Sequence, residues 1–162
     1  MSKSKVPAIN DAVDNIPLPA TGDQQLGSGD FLGQQLVIYF YPKDNTPGCT
    51  TESQGFAEHY QAFRDCNTAI VGVSRDSLKS HDNFRAKFDL PFDLLSDSEE
   101  VLCRYFDVIK EKNMYGRKVM GIERSTFLLD SKGVLRHAWR KVKVPGHVEE
   151  VLAAAQQLHA SH

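Results

Sequence analysis

Three apolar runs, each followed by a stretch of helical character, constrain this chain more than any other feature. Leu36 to Tyr41 is a continuous apolar and aromatic run, the pattern of a buried strand. Thr68 to Ser74 is a β-branched run, and Phe92 to Leu95 is a shorter third. Between the first two, Phe56, Tyr60 and Phe63 recur on one face of a helix that opens at Gly48-Cys49 and runs to about Cys66. A second helical stretch covers Ser77 to Phe88. Ser96-Asp97-Ser98 introduce a third, from Glu99 to about Val108, with Glu99 and Glu100 in its first turn. Strands joined by crossover helices lie parallel.

The rest of the chain closes the sheet. Lys110 to Gly121 is polar, contains two glycines, and is expected to be a loop. Arg124 to Asp130 and Val134 to Val144, separated by Ser131-Lys132-Gly133, predict an antiparallel hairpin. Lys141 and Lys143 then fall on the outward face of its second strand. Gly146 precedes a final helix with Val148, Val151, Leu152, Ala155 and Leu158 on one face. Residues 1–35 carry Pro7, Pro17, Pro19 and the Gly27-Ser28-Gly29-Asp30 turn, and predict short strands or a hairpin at the sheet edge. The fold class is α/β, a mixed central sheet flanked by helices.

Composition narrows the function. At 162 residues the chain suits a single domain, 1–162, with no repeat and no linker. A formal net charge of -2 argues against nucleic acid or an anionic membrane as partner. No apolar run approaches the length of about 18 residues that spans a bilayer. The start, Met1 to Pro7, has no apolar stretch after its positive charges, so no secretory signal is expected. Three cysteines, without CxxC or zinc spacing, point to free thiols in a reducing compartment, the cytoplasm. The histidines His59, His81, His137, His147, His159 and His162 are scattered and suggest solvated or capping roles, so neither metal nor cofactor is expected.

Cys49 is the chemically distinctive residue. It follows a strand, a Pro-bounded polar loop and a helix start. The free N–H groups and dipole of a helix N-terminus favour thiolate, the nucleophilic form of cysteine. The plainer alternative is a small buried apolar side chain. Around it, Pro42 reads as a strand terminator, Thr46 as a loop cap, Arg124 as a surface charge, and Glu52 as an acidic complement to the helix start.

These residues match a known pattern. Pro42-x-x-x-Thr46-x-x-Cys49 is the active-site pattern of peroxiredoxins, and Tyr41-Pro42-Lys43-Asp44-Asn45-Thr46-Pro47-Gly48-Cys49-Thr50-Thr51-Glu52 resembles the bacterioferritin-comigratory-protein, or peroxiredoxin Q, subfamily. Gly121-Ile122-Glu123-Arg124-Ser125-Thr126-Phe127-Leu128 resembles the strand bearing the subfamily's catalytic arginine. Trp139 to Val144 with Gly146-His147 resembles its C-terminal part. The resemblance implies a thioredoxin-like fold and thiol-dependent reduction of hydrogen peroxide and organic hydroperoxides, an antioxidant activity. It implies attack by Cys49 to give a sulfenic acid. Thr46 would place a hydroxyl near sulfur and peroxide, and Pro42 would shield the thiolate. Arg124 would polarise the peroxide and Glu52 would orient Arg124. The N–H groups of Gly48 and Cys49 would stabilise charge on the leaving oxygen.

The chain departs from the subfamily at the resolving cysteine. One usual position holds Gln54 and the other holds Arg85. Cys66, at the far end of the predicted helix, stands roughly 25 Å from Cys49 at about 1.5 Å rise per residue, beyond the ~7 Å a disulfide allows. Cys103, among Val101, Leu102 and Phe106, reads as a buried structural thiol. The expectation is a one-cysteine cycle in which glutathione, glutaredoxin or thioredoxin reduces Cys49. The alternatives are a two-cysteine cycle resolved by Cys103 or Cys66, or a redox sensor. The subfamily resemblance suggests a monomer or weak dimer.

Overall fold

The computed structural model describes residues 6–161; the expectations placed on residues 1–5 and on His162 lie outside the described residues. The chain opens with a small hairpin, β1 (Leu18–Ala20) and β2 (Gln24–Leu26), then one 3-10 turn, Ser28–Phe31. The parallel unit follows: β3 (Gln35–Phe40), α1 (Pro47–Glu58), α2 (Tyr60–Asp65), β4 (Thr68–Ser74), α3 (Leu78–Lys87) and β5 (Asp93–Ser96). Then come α4 (Val101–Tyr105), β6 (Ile109–Met114), β7 (Arg117–Ile122), β8 (Ser125–Leu129), β9 (Leu135–Trp139) and α5 (His147–Ala160).

Seven strands form one sheet in the order β2-β1-β5-β4-β3-β8-β9. β3, β4 and β5 are mutually parallel, as crossover helices require; β8 pairs antiparallel with β3, and β9 with β8. The edge hairpin predicted before residue 35 is β1–β2, attached through Ala20 to Leu95. Side chains of β3 alternate between two cores. Val37, Tyr39 and Tyr41 pack with Cys49 and Phe56 of α1, Phe63 of α2, Phe84 of α3 and Val151 of α5. Leu36, Ile38 and Phe40 pack on the opposite face with Leu102, Cys103 and Phe106. Both faces of the strand are covered, which explains its unbroken apolar run.

Four expectations are corrected. Residues 110–121 are not a loop but most of a second, two-stranded sheet, β6–β7, registered from Ile109↔Ile122 to Met114↔Arg117. Tyr115 and Gly116 both have positive φ, 53° and 77°, the two-residue turn that matches strand twist. Most of this arm is solvated on both sides, so it carries no apolar alternation to read. The helix after Cys49 is broken at His59 (φ -95°, ψ 8°), where Gly55 O accepts both the His59 N–H at 3.2 Å and a bond from its ring at 3.0 Å. The third helix is shortened because Glu100 takes a left-handed conformation (φ 61°), leaving Glu99 and Glu100 outside it. Asp97 alone caps it, accepting from Val101 N–H at 2.8 Å and Cys103 N–H at 2.7 Å. Finally β9 ends at Trp139, and Lys141 turns at φ 52°, so Lys141 and Lys143 lie in a loop.

Candidate active site

The end of β3 builds the site. Tyr41 still donates its N–H to Val73 O at 3.1 Å, but Pro42 has no N–H to continue the ladder, and the chain leaves the sheet. The loop closes on Thr46, whose carbonyl accepts the first helical bond, from Thr50 N–H at 2.9 Å. Pro47 occupies the first helical position, where its missing N–H costs nothing. The Thr46 hydroxyl does not cap the helix; it donates to Lys43 O at 2.8 Å and braces the loop. Cys49 is then the third residue of α1 and is 1% exposed. Among the described residues the N–H groups of Gly48 and Cys49 have no acceptor, as is normal for a first helical turn.

Strand register delivers the arginine. Phe40 pairs with Ser125 across the β3–β8 ladder, so Arg124, one residue before β8, arrives where β3 ends and α1 begins. One guanidinium nitrogen, Nη2, donates to Cys49 Sγ at 3.3 Å, and the other, Nη1, donates to Glu52 Oε1 at 2.6 Å. Glu52 lies one turn after Cys49 on the same helix face and is fully buried. Burial pushes its carboxyl up to about 7 against the pull of Arg124. Its second oxygen, Oε2, has no hydrogen-bond partner among the described residues. Gly48 leaves room for this fork: a Cβ there would stand 3.2 Å from Arg124 Nη2.

A buried network fixes the loop from behind. Asp44 accepts from Tyr41 Oη at 2.6 Å and Ser80 Oγ at 2.8 Å, and pairs with His81 Nδ1 at 2.7 Å. Its own N–H donates to Asp76 Oδ2 at 2.9 Å. Burial alone would raise the Asp44 carboxyl, but the bonds from His81, Tyr41 and Ser80 outweigh it and hold it below the usual range. Ligand atoms of Asp44, Asp76 and His81 lie within 4.8 Å of one another. Those atoms already have partners: His81 Nε2 contacts Leu95 O at 2.9 Å, and Asp76 Oδ2 accepts from Ser74 Oγ at 2.5 Å. The cluster is an anchor that ties the active-site loop to α3 and to the ends of β4 and β5.

The structure thus brings Cys49, Gly48, Glu52 and Arg124 together, with Thr46 in the loop at the helix start and Pro42 at the strand end. Cys66 and Cys103 stand apart. Cys66 is buried at the end of α2, with its thiol on Phe63 O at 3.3 Å. Cys103 is fully buried in the core on the other face of the sheet, where burial and then Asp97 push its thiol strongly up. Two histidines expected to be solvated or capping are buried instead. His81 belongs to the loop anchor, and His147 contacts Thr126 Oγ1 at 2.8 Å with its ring driven down to about 4 by burial. Sequence reasoning missed the anchor, although Asp44 lies inside the motif; its partner His81 comes from a helix whose buried face carries few apolar residues. Among the described residues no helix is long and apolar enough to cross a membrane.

A thioredoxin-like sheet that presents a cysteine at a helix start to an arginine just ahead of an antiparallel strand defines the class, a peroxiredoxin. A sequence model of the AhpC/TSA family matches residues 9–138. The chain is 57% identical over 143 residues to peroxiredoxin Bcp of Xanthomonas campestris pv. campestris, covering 88% of this chain and 89% of that one. It superposes on the solved X. campestris bacterioferritin comigratory protein, described for its alkyl peroxide reduction activity, with a TM-score of 0.86 and 53% identity, over 92% of this chain and 99% of that one. A cysteine-to-serine variant of Xylella fastidiosa PrxQ gives a TM-score of 0.89 at 49% identity, over 95% and 98% of the two chains. The chain belongs to the AhpC/TSA family and, within it, to the Bcp (PrxQ) peroxiredoxins.

Proposed function

We propose that this peroxiredoxin reduces hydrogen peroxide and organic hydroperoxides at Cys49 and is itself reduced by an external thiol. One observation carries this reading: Arg124 divides its fork between Cys49 Sγ at 3.3 Å and Glu52 at 2.6 Å. A guanidinium held this way offers a charged donor to a peroxide oxygen approaching the sulfur. The thiolate attacks one peroxide oxygen. The S–O bond forms as the O–O bond breaks, sulfur becomes a sulfenic acid, and the second oxygen leaves with the electron pair and takes a proton to become water or an alcohol. The Gly48 and Cys49 N–H groups, in the first turn of α1 and without an acceptor among the described residues, are donors for the charge that develops there. Thr46, whose proton is committed to Lys43 O, offers its oxygen as an acceptor for the peroxide O–H. Pro42 shields the sulfur. A sensor would need only the reactive thiol, whereas the Arg124–Glu52 fork is a device for turnover.

Repair of the sulfenic acid falls to another molecule. Gln54 and Arg85 occupy the usual resolving positions, Arg85 with its Nε bonded to Phe92 O at 2.9 Å. Cys103 lies across the sheet. A groove of about 660 Å³, lined by Pro47, Gly48, Thr51, Gln54, Val144 and Val148 among others, runs beside the first turns of α1 and gives glutathione, glutaredoxin or thioredoxin an approach. We place this activity in the cytoplasm, in a monomer or weak dimer. The test is peroxide consumption with each thiol donor, together with mass spectrometry of protein treated with one equivalent of peroxide under non-reducing conditions. Cys49→Ser should abolish turnover, while Cys66→Ser and Cys103→Ser should leave it. A Cys49–Cys103 or Cys49–Cys66 disulfide as the main product overturns the one-cysteine cycle, and a single oxidation without turnover with every donor favours the sensor.

A further inference from the structure

The β6–β7 arm carries a lysine toward the site. Lys112 is half-buried and pairs in register with Val119, and its ammonium donates to the carbonyl of Ile122, two residues before Arg124. Gly121 marks the crossing point: a Cβ there would lie 3.4 Å from Lys112 Cδ and 3.7 Å from Nη2 of Arg75, which arrives from the end of β4. Lys112 and Arg75 therefore meet at the end of β7, just before Arg124, and the three cations are not equally matched. Arg75 donates to Glu100 at 2.8 Å, and Arg124 donates to Glu52 at 2.6 Å. Among the described residues no carboxylate stands within ion-pair distance of Lys112. Burial, then Arg124 and Arg75, pull its ammonium below the ordinary value, while the charges of Cys49 and Glu123 pull the other way.

We propose that Lys112 is a third functional cation of this site, stabilising the negative charge that passes from the Cys49 sulfur to the departing peroxide oxygen. The inference rests on the peroxidase reading of Cys49. The field of Arg124 is offset by whatever charge Glu52 carries at contact distance, whereas among the described residues no carboxylate touches Lys112 and Glu123 offsets it only from farther away. Fixed to Ile122 O by one N–H, Lys112 keeps two more for an oxyanion. In the step it serves, the thiolate attacks the terminal oxygen of R–O–OH and keeps that hydroxyl as sulfenic acid. R–O⁻ leaves with the bonding pair, and solvent supplies its proton. Sulfur loses two electrons and the peroxide gains two. Lys112 holds the alkoxide until it is protonated.

A leaving-group comparison separates this role from a structural one. The tert-butoxide expelled from tert-butyl hydroperoxide is strongly basic and needs stabilising; the acetate expelled from peracetic acid does not. Single-turnover oxidation of Cys49 should slow roughly tenfold to a hundredfold in K112M and K112Q with tert-butyl hydroperoxide. With peracetic acid the same variants should slow about twofold at most, and K112R should recover most of the loss. Equal slowing with both oxidants, as a loosened arm would give, overturns the proposal, as does no slowing with either. Wild-type protein that reacts with neither oxidant overturns the peroxidase reading itself, and this proposal with it.

Discussion

Arg124 grips Glu52 at 2.6 Å, and the gripped carboxyl is fully buried, with one oxygen unpartnered among the described residues and a pKa raised to about 7. The arginine that faces the Cys49 sulfur is therefore held by an acid that titrates near neutrality.

A stability measurement checks this relationship. A carboxyl whose pKa is about 7 folded and 4.5 unfolded binds more protons in the folded state. Its contribution to stability is complete below the unfolded value and is lost as pH rises through the folded one, by about 3 kcal/mol at most. Glu52→Gln removes the titration. Urea unfolding from pH 4.5 to 8 should show wild type falling relative to E52Q across that window. The same substitution should slow peroxide reduction roughly 10- to 100-fold by releasing the aim of Arg124. Parallel stability curves for the two proteins would show that Glu52 is not the titrating group.

The fork itself predicts a failed conservative change. Arg124→Met removes the donor on Cys49 Sγ and should lower the rate of Cys49 oxidation by about 10²- to 10³-fold. Arg124→Lys should recover little of this, because one ammonium cannot reproduce two donors held in a rigid plane toward Glu52 and Cys49. Stopped-flow rates for the two variants decide it; near-wild-type behaviour of R124K would mean that charge alone suffices.

Behind the loop, Asp44 accepts from Tyr41 and Ser80 and pairs with His81, whose ring is fully buried. Hydrogen bonds to a charged acceptor are worth about 1.5–3 kcal/mol each, and a neutral amide in place of the buried carboxylate weakens them. Asp44→Asn should lower unfolding stability by that order at pH 7. The Asp44 carboxyl is held below its usual range, so its contribution is present above the unfolded value and lost as pH falls through the folded one. The gap between wild type and D44N should therefore close in acid. A constant gap down to pH 2 would contradict the assignment.

What was readable in the sequence follows from what was buried. β3, β4 and β5 are covered on both faces and announce themselves as apolar runs, and the antiparallel β8–β9 pair is joined by a Ser-Lys-Gly turn. The β6–β7 arm buries its ends, Ile109 and Ile122, while Tyr115 at its tip is 99% exposed, so its strands resemble a polar loop. The Cys49 motif is local and legible. The approach of Arg124 depends on a ladder register between strands whose paired residues are 85 to 93 positions apart, which only the family resemblance supplied. His81 and Lys112 owe their places to tertiary packing, and nothing in their neighbours along the chain marks them.

Gly48 supplies a prediction in which stability and activity move in opposite directions. It occupies the second position of α1, where alanine is the better helix former by up to about 1 kcal/mol. A Cβ at that position would stand 3.2 Å from Arg124 Nη2, tighter than ordinary contact. Arg124 is held by Glu52 on one side and faces Cys49 on the other, so the displaced atom is the one that donates to sulfur. Gly48→Ala should therefore leave the thermal midpoint unchanged or slightly raised. A shift of a few tenths of an ångström at the donor should slow Cys49 oxidation several-fold, a smaller effect than the roughly 100-fold expected of a full ångström. Stopped-flow oxidation and thermal unfolding of the same preparation test both halves together. A slowed enzyme with a lowered midpoint would point to helix damage, and an unchanged rate would show that Arg124 has more room than the Glu52 bond implies.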